Sequence, residues 1–135
     1  MSSKIFIKDG DDCHLVWLRD VHYVESCKNH SIVFFDSYKP FIKKALSNID
    51  AGLPKSHFFR ANRQYVVNLN EVRAINETIS DGYDLTMNDG QIIEVSLRNA
   101  VKLKKLLIFW YLNFTLTVLL QRQAARSWSV RLPLS

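Results

Sequence analysis

At 135 residues and 15.7 kDa the chain has room for one ordinary domain. Such a length buries about two-thirds of its unfolded surface, so no disulfide or metal staple is required. A hydrophobic share of 47% and a charged share of 23% exclude wholesale disorder and fibrous repeats. The net charge of +5 points to an anionic partner until its placement is examined. Residues 1–94 hold 11 Lys and Arg against 13 Asp and Glu, a net of −2, whereas residues 95–135 hold seven basic residues and no acid. The excess charge therefore sits in the last 41 residues, and net charge alone does not identify a nucleic-acid binder.

In chain order, Ile5 and Ile7 alternate with Lys4, Phe6 and Lys8, which predicts a strand, and Asp9-Gly10-Asp11-Asp12 predicts a turn. Leu15–Leu18 resumes as a strand. Val21–Glu25 and Ile32–Phe35 predict a hairpin whose tip displays Lys28, Asn29 and His30. Leu46, Ile49 and Leu53 recur at helical spacing, predicting a helix over Ile42–Leu53 that ends at Gly52 and Pro54. Further strands are expected at Phe58–Arg60, Tyr65–Val67, Val72–Asn76, Tyr83–Met87 and Ile92–Ser96, the last two flanking the Asn88-Asp89-Gly90 turn signal. Leu97–Leu107 reads as helical. The pattern is mainly β, an α+β fold with one or two short helices.

No phosphate loop, zinc-protease motif or nucleophile elbow is present, and the reading is that the chain is not an enzyme and carries no cofactor. Cys27-x-x-His30 with His22 and the Cys13-His14 pair lacks a second closely spaced ligand pair, so no metal site is assigned. Two cysteines and no signal peptide pattern point to a reducing cytoplasm. Three polar stretches interrupt apolar runs: Lys28-Asn29-His30, Arg60-Ala61-Asn62-Arg63-Gln64 and Ser96-Leu97-Arg98-Asn99. Arg can bond O6 and N7 of guanine together, and Asn or Gln can pair with adenine. Each stretch alone is equally a solvated turn.

The run Phe58-Phe59-Arg60-Ala61-Asn62-Arg63-Gln64-Tyr65-Val66-Val67-Asn68-Leu69-Asn70-Glu71-Val72-Arg73-Ala74-Ile75 resembles the central signature of the LytTR family, the DNA-binding domains at the C-termini of many bacterial response regulators. Val21–Ser26, Ala45–Ile49, Asp89–Ser96 and Arg98–Leu107 match other parts of that family in order, so the likeness covers about residues 3–107. It implies an elongated, three-sheet antiparallel β fold that binds double-stranded DNA by loops inserted into successive major grooves, with bending of the duplex. Carried over by position, it places Asn29 and His30 of the first loop, Asn62, Arg63 and Gln64 of the central loop, and Arg98 and Asn99 of the third at DNA. Arg63 and Arg98 are the expected base readers, while Lys28, Lys102 and Lys105 position the phosphate backbone. Arg60 is as suited to anchoring its loop as to touching DNA, and Tyr65, Val67 and Asn68 to packing and turn bonding. The chain departs from the pattern at Asn62, where many members carry His, and at Leu97, where many carry Arg.

The same resemblance implies a transcriptional regulator acting on repeated promoter elements, with a homodimer on DNA and a receiver domain or kinase outside this chain as further partners. The family domain is expected to span residues 1–107. Residues 108–135, apolar and then basic, have three readings: a segment foreign to the family domain, a helix or strand pair that packs on the domain or a partner, or an interfacial or membrane-inserted segment. The rival function is accordingly a membrane-associated regulatory or interaction protein that works through this tail.

Overall fold

A computed structural model describes residues 3–36 and 38–127, with ten strands and two α-helices among them. The chain divides into two compact units, Met1–Ala100 and Val101–Ser135. Every strand pair of the first unit is antiparallel.

The strands β1 (Lys4–Asp9) and β2 (Asp12–Trp17) form a hairpin turned by Gly10 at φ 63°, a backbone that glycine adopts without steric cost. Their alternation is that of the sequence: Ile7 is buried, while Phe6 and its cross-strand partner Leu15 are exposed. Next come β3 (Tyr23–Cys27), β4 (His30–Phe34), β5 (Phe41–Ile42), α1 (Leu46–Gly52), β6 (Phe58–Arg60) and β7 (Tyr65–Asn68). The five strands make one sheet in the order β5-β4-β3-β7-β6, so β3 lies between β4 and β7. A smaller sheet, ordered β10-β9-β8, holds β8 (Val72–Glu77), β9 (Tyr83–Met87) and β10 (Ile92–Val95).

Period-two alternation gives the five-stranded sheet two apolar faces. Val33, Val24 and Val66 lie in register across β4, β3 and β7. They join Ile7, Leu18, Val21, Leu46, Leu53 and Phe58 in one core cluster under the hairpin and α1. Each fully buried side chain of this size contributes about 1.5–3 kcal/mol. The opposite row runs Phe34, Tyr23, Val67, Phe59, with the Tyr23 and Phe34 rings stacked at 4.4 Å. There the Tyr23 hydroxyl donates to Asp89 Oδ2 at 2.9 Å, in the turn between β9 and β10.

The helix expected over Ile42–Leu53 is shorter. Phe41 and Ile42 pair instead with Ile32 and Ser31 of β4, and Pro40 and Lys44 each accept a hydrogen bond from that strand, at the Val33 amide and the Ser31 hydroxyl. An unpaired edge on β4 recruits these residues, which local periodicity assigned to the helix. The C-terminal helix departs the other way: α2 runs over Leu97–Ser127, since no Gly or Pro interrupts it. Among the described residues no helix is long and apolar enough to cross a membrane.

Candidate nucleic-acid interface

The tip of the β3–β4 hairpin is tighter than the sequence suggests. Cys27 and His30 are paired residues of the two strands, leaving Lys28 and Asn29 as a two-residue turn. Lys28 takes φ 58°, the left-handed backbone that such a turn demands at its first position. Both turn side chains are exposed. His30 is half-buried, with its ring 4.8 Å from that of Phe41, so only part of the imidazole is open to a ligand.

The central loop, Ala61–Gln64, is closed by the Ala61 amide donating to the Tyr65 carbonyl at 3.0 Å. Asn62 supplies its interior. The Oδ1 atom accepts from the amides of Gln64 at 2.7 Å and Tyr65 at 3.0 Å, while Nδ2 donates to the Glu94 carbonyl of β10 at 2.5 Å. Arg60 clamps the loop from outside, donating from Nε to the Asn62 carbonyl at 2.7 Å and from Nη2 to the Arg63 carbonyl at 2.9 Å. Its Nη1 lies 3.9 Å from Asp50 Oδ2 of α1. The anchoring role that the sequence left open for Arg60 is thus the one its geometry satisfies. Arg63 and Gln64 are exposed, and among the described residues their side chains make no hydrogen bond or ion pair.

The third stretch is the first turn of α2 rather than an open loop. Ser96 caps it, its Oγ accepting from the Asn99 amide at 3.3 Å and its carbonyl from the Ala100 amide at 2.8 Å. Arg98 is exposed on that turn and Asn99 is half-buried. Lys102 belongs to the second unit and is exposed on α2, as is Lys105.

Direct backbone bonds draw the three stretches together. The Ser26 amide, beside the hairpin tip, donates to the Gln64 carbonyl at 2.7 Å, and the Ser96 amide donates to the Ala61 carbonyl at 2.9 Å. One end of the five-stranded sheet thereby carries Lys28, Asn29, Arg63, Gln64 and Arg98 on a single hydrogen-bonded frame. Sequence reasoning gave Tyr65 a packing and turn-bonding role but missed its partner Glu25 and the Tyr23–Asp89 bond. The Tyr65 hydroxyl donates to Glu25 Oε2 at 3.0 Å, and burial followed by that bond pushes the Tyr65 phenol up to about 12. Burial, then the bond to Asp89, raises the Tyr23 phenol as well. A tyrosine and a glutamate 40 residues apart leave no local signal, because only the β3–β7 register puts Glu25 opposite Tyr65.

Cys13 and Cys27 are free and exposed, and among the described residues no three His, Cys, Asp or Glu side chains converge as a metal site. Toward the other end of β3 a concavity of about 520 Å³ is lined by His22, Asp36, Glu71, Asn88 and Asp89. Most of its polar groups are paired with protein already: His22 Nε2 with Asp36 at 2.7 Å, Asn88 with Glu71 and Asp89 with Tyr23, while Lys39 Nζ, also on its lining, lies 5.4 Å from the centre of the Phe34 ring.

Comparison with known proteins bears on the family and the fold. Residues 11–108 match the family model of the LytTr DNA-binding domain. The sensory transduction protein LytT of Bacillus subtilis is 32% identical over 104 residues, covering 77% of this chain and 43% of that protein. The transcriptional regulatory protein YpdB of Escherichia coli K12 is 29% identical over 72 residues, 53% of this chain and 30% of that protein. The chain thus spans less than half the length of these curated relatives. A solved LytTr DNA-binding domain from Bacillus cereus superposes with a TM-score of 0.70 at 28% identity, covering 79% of this chain and 98% of that one. On the strength of its matched residues and its three antiparallel sheets, this chain belongs to the LytTR family of DNA-binding domains.

Proposed function

We propose that the domain reads specific DNA sequences through the hairpin tip, the central loop and the first turn of α2, set into successive major grooves on one face of a duplex, and regulates bacterial transcription in the cytoplasm from there. One observation carries the reading. Three polar stretches far apart in sequence are bonded to one another at one sheet end, where Arg63 and Arg98 are exposed and, among the described residues, spend no side-chain hydrogen bond. Unspent guanidiniums on a fixed frame are what bidentate recognition of guanine needs, and each is worth about 1–3 kcal/mol of discrimination.

In this reading Arg63 and Arg98 read bases, Asn29, Gln64 and the open edge of His30 add contacts, and Lys28 positions a phosphate. Asn62 holds the loop and touches DNA through its neighbours only, since both ends of its amide are committed. The DNA-binding part is residues 1–107, repeated promoter elements are the target, and the signal arrives from a receiver domain or kinase outside this chain. The membrane alternative has no spanning helix to support it among the described residues.

The test is selection of binding sites from random duplexes, followed by gel shifts with Arg63→Ala and Arg98→Ala. Both variants keep the fold and lose about 5-fold to 150-fold in preference for the selected sequence. Selection that enriches no sequence overturns the function; full selectivity in both variants overturns the residue roles.

A further inference from the structure

Charge within the first unit is not spread evenly. Residues 26–49 hold four basic residues, Lys28, Lys39, Lys43 and Lys44, against one acid, Asp36. The rest of residues 1–94 holds seven basic and twelve acidic side chains, so this segment is a basic strip on an otherwise acidic domain. It follows the β4–β5 edge of the five-stranded sheet, and register divides its charges between the two ends. Asp36 and Lys39 come after the C-terminal end of β4, on the lining of the concavity. Lys43 and Lys44 leave β5 at the opposite end, because Ile42 pairs with Ser31 and an antiparallel ladder then leads to His30.

The fold fixes that second pair beside the hairpin tip. The Ser31 hydroxyl, fully buried, donates to the Lys44 carbonyl at 2.8 Å. The ring of Phe41, two residues before Lys43, lies 4.8 Å from that of His30. The β5 exit is thereby tied to the strand that leads out of the Lys28-Asn29 turn. Both lysines are exposed, and among the described residues neither side chain makes a hydrogen bond or ion pair. The acids on the adjoining elements are already spent: Glu25 of β3 accepts from Tyr65, and Asp50 of α1 accepts from Lys55 with Arg60 nearby.

We propose that the β5–α1 connection, through Lys43 and Lys44, is a fourth DNA-contacting element that grips backbone phosphates beside the hairpin tip. None of the three polar stretches includes it. An ammonium on a flexible stem is a point charge that suits a phosphate oxygen, whereas the planar fork of arginine suits a base edge. Strand order sets Lys43 and Lys44 at one border of the frame and Arg98 at the other. Five strands span about 19 Å from β5 to β6, and Ser96 attaches next to β6 at Ala61. The assignment rests on the DNA-binding reading and adds to it a grip that is blind to sequence. A few such contacts still leave the total salt dependence shallow.

The experiment measures binding of the full chain to the selected duplex and to an unrelated one across a salt series. Lys43→Gln with Lys44→Gln should flatten the slope of log affinity against log salt by nearly 2, about 0.9 for each phosphate contact. At low salt it should weaken binding at least about tenfold on both duplexes alike, leaving the preference between them unchanged. Lys43→Arg with Lys44→Arg retains the slope. Lys39→Gln with Arg73→Gln removes equal charge where β4 ends and β8 begins, at the end marked by the Tyr23–Asp89 bond, and also retains it. A wild type that selects its site, with the slope unmoved in the Lys43 and Lys44 glutamine variant, overturns this proposal and leaves the DNA-binding reading standing. Equal flattening by the Lys39 and Arg73 variant overturns it too, since charge would then act without regard to place. A wild type that binds no duplex ends the DNA-binding reading and this proposal together.

Discussion

The side-chain amide of Asn62 bridges to the carbonyl of Glu94, joining the turn of the five-stranded sheet to the last strand of the three-stranded sheet across 32 residues of sequence. With the two bonds that Asn62 Oδ1 accepts from its own loop, this one side chain sets both the shape of the central loop and its seat beside β10.

Asn62→Ala should cost about 1–3 kcal/mol of stability, because the Gln64 and Tyr65 amides and the Glu94 carbonyl lose their partner together. Asn62→Asp keeps both acceptor bonds and loses the donor, so it should fall between wild type and Ala in thermal melts. Sequence preference, measured by competition gel shift, should decline in the same order. An Ala variant with wild-type melting and wild-type preference would remove Asn62 from the frame.

Arg60→Lys keeps the charge near Asp50 but cannot hold the Asn62 and Arg63 carbonyls in one planar fork. It is expected to weaken preference for the selected site while leaving affinity for unrelated DNA nearly unchanged. Arg60→Gln should do the same and also lose the ionic contact to α1. If both variants discriminate as wild type does, the clamp has no bearing on recognition.

Alkaline titration gives a separate check on the Tyr65–Glu25 pair. An unfolded tyrosine ionises near 10, and in the folded domain burial, then the bond to Glu25, pushes Tyr65 up to about 12. The folded state thus favours the neutral phenol. Its contribution is fully present below pH 10 and is lost as pH climbs from there toward 12. Tyr23 shifts in the same direction. Tyr65→Phe should flatten the alkaline limb of a stability–pH curve; an unaltered limb would show that the pair contributes nothing.

Salt dependence of DNA binding should be shallow for a unit this poor in positive charge. Residues 1–94 carry a net of −2, so few phosphates are neutralised and log affinity should fall by about 0.9 per contact for each decade of salt. A steep slope that Lys102→Gln with Lys105→Gln leaves unchanged would reveal a basic surface elsewhere.

Much of this fold is legible in the sequence wherever one strand buries one face. Tyr83–Met87 and Phe58–Arg60 have the bounds their alternation predicts. Ile42 was not legible, because its strand exists only through the open edge of β4. Neither was the length of α2: an apolar run without a breaker looks alike whether it continues a helix or starts a new element. The candidate interface divides the same way. Polar residues between apolar runs mark all three stretches, but an asparagine that reads a base and one that bridges two backbones are the same letter, and only the distances from Asn62 separate them. Arg60 and Arg63, three residues apart, spend their guanidiniums oppositely for the same reason.

The placement of β3 and β7 in the interior of their sheet has a kinetic consequence. The segments they carry cannot loosen unless a strand paired on both sides comes away, so the amide hydrogen of Ser26, held by the Gln64 carbonyl, should exchange only in near-global openings. The free domain then has little backbone entropy left to surrender when a duplex arrives.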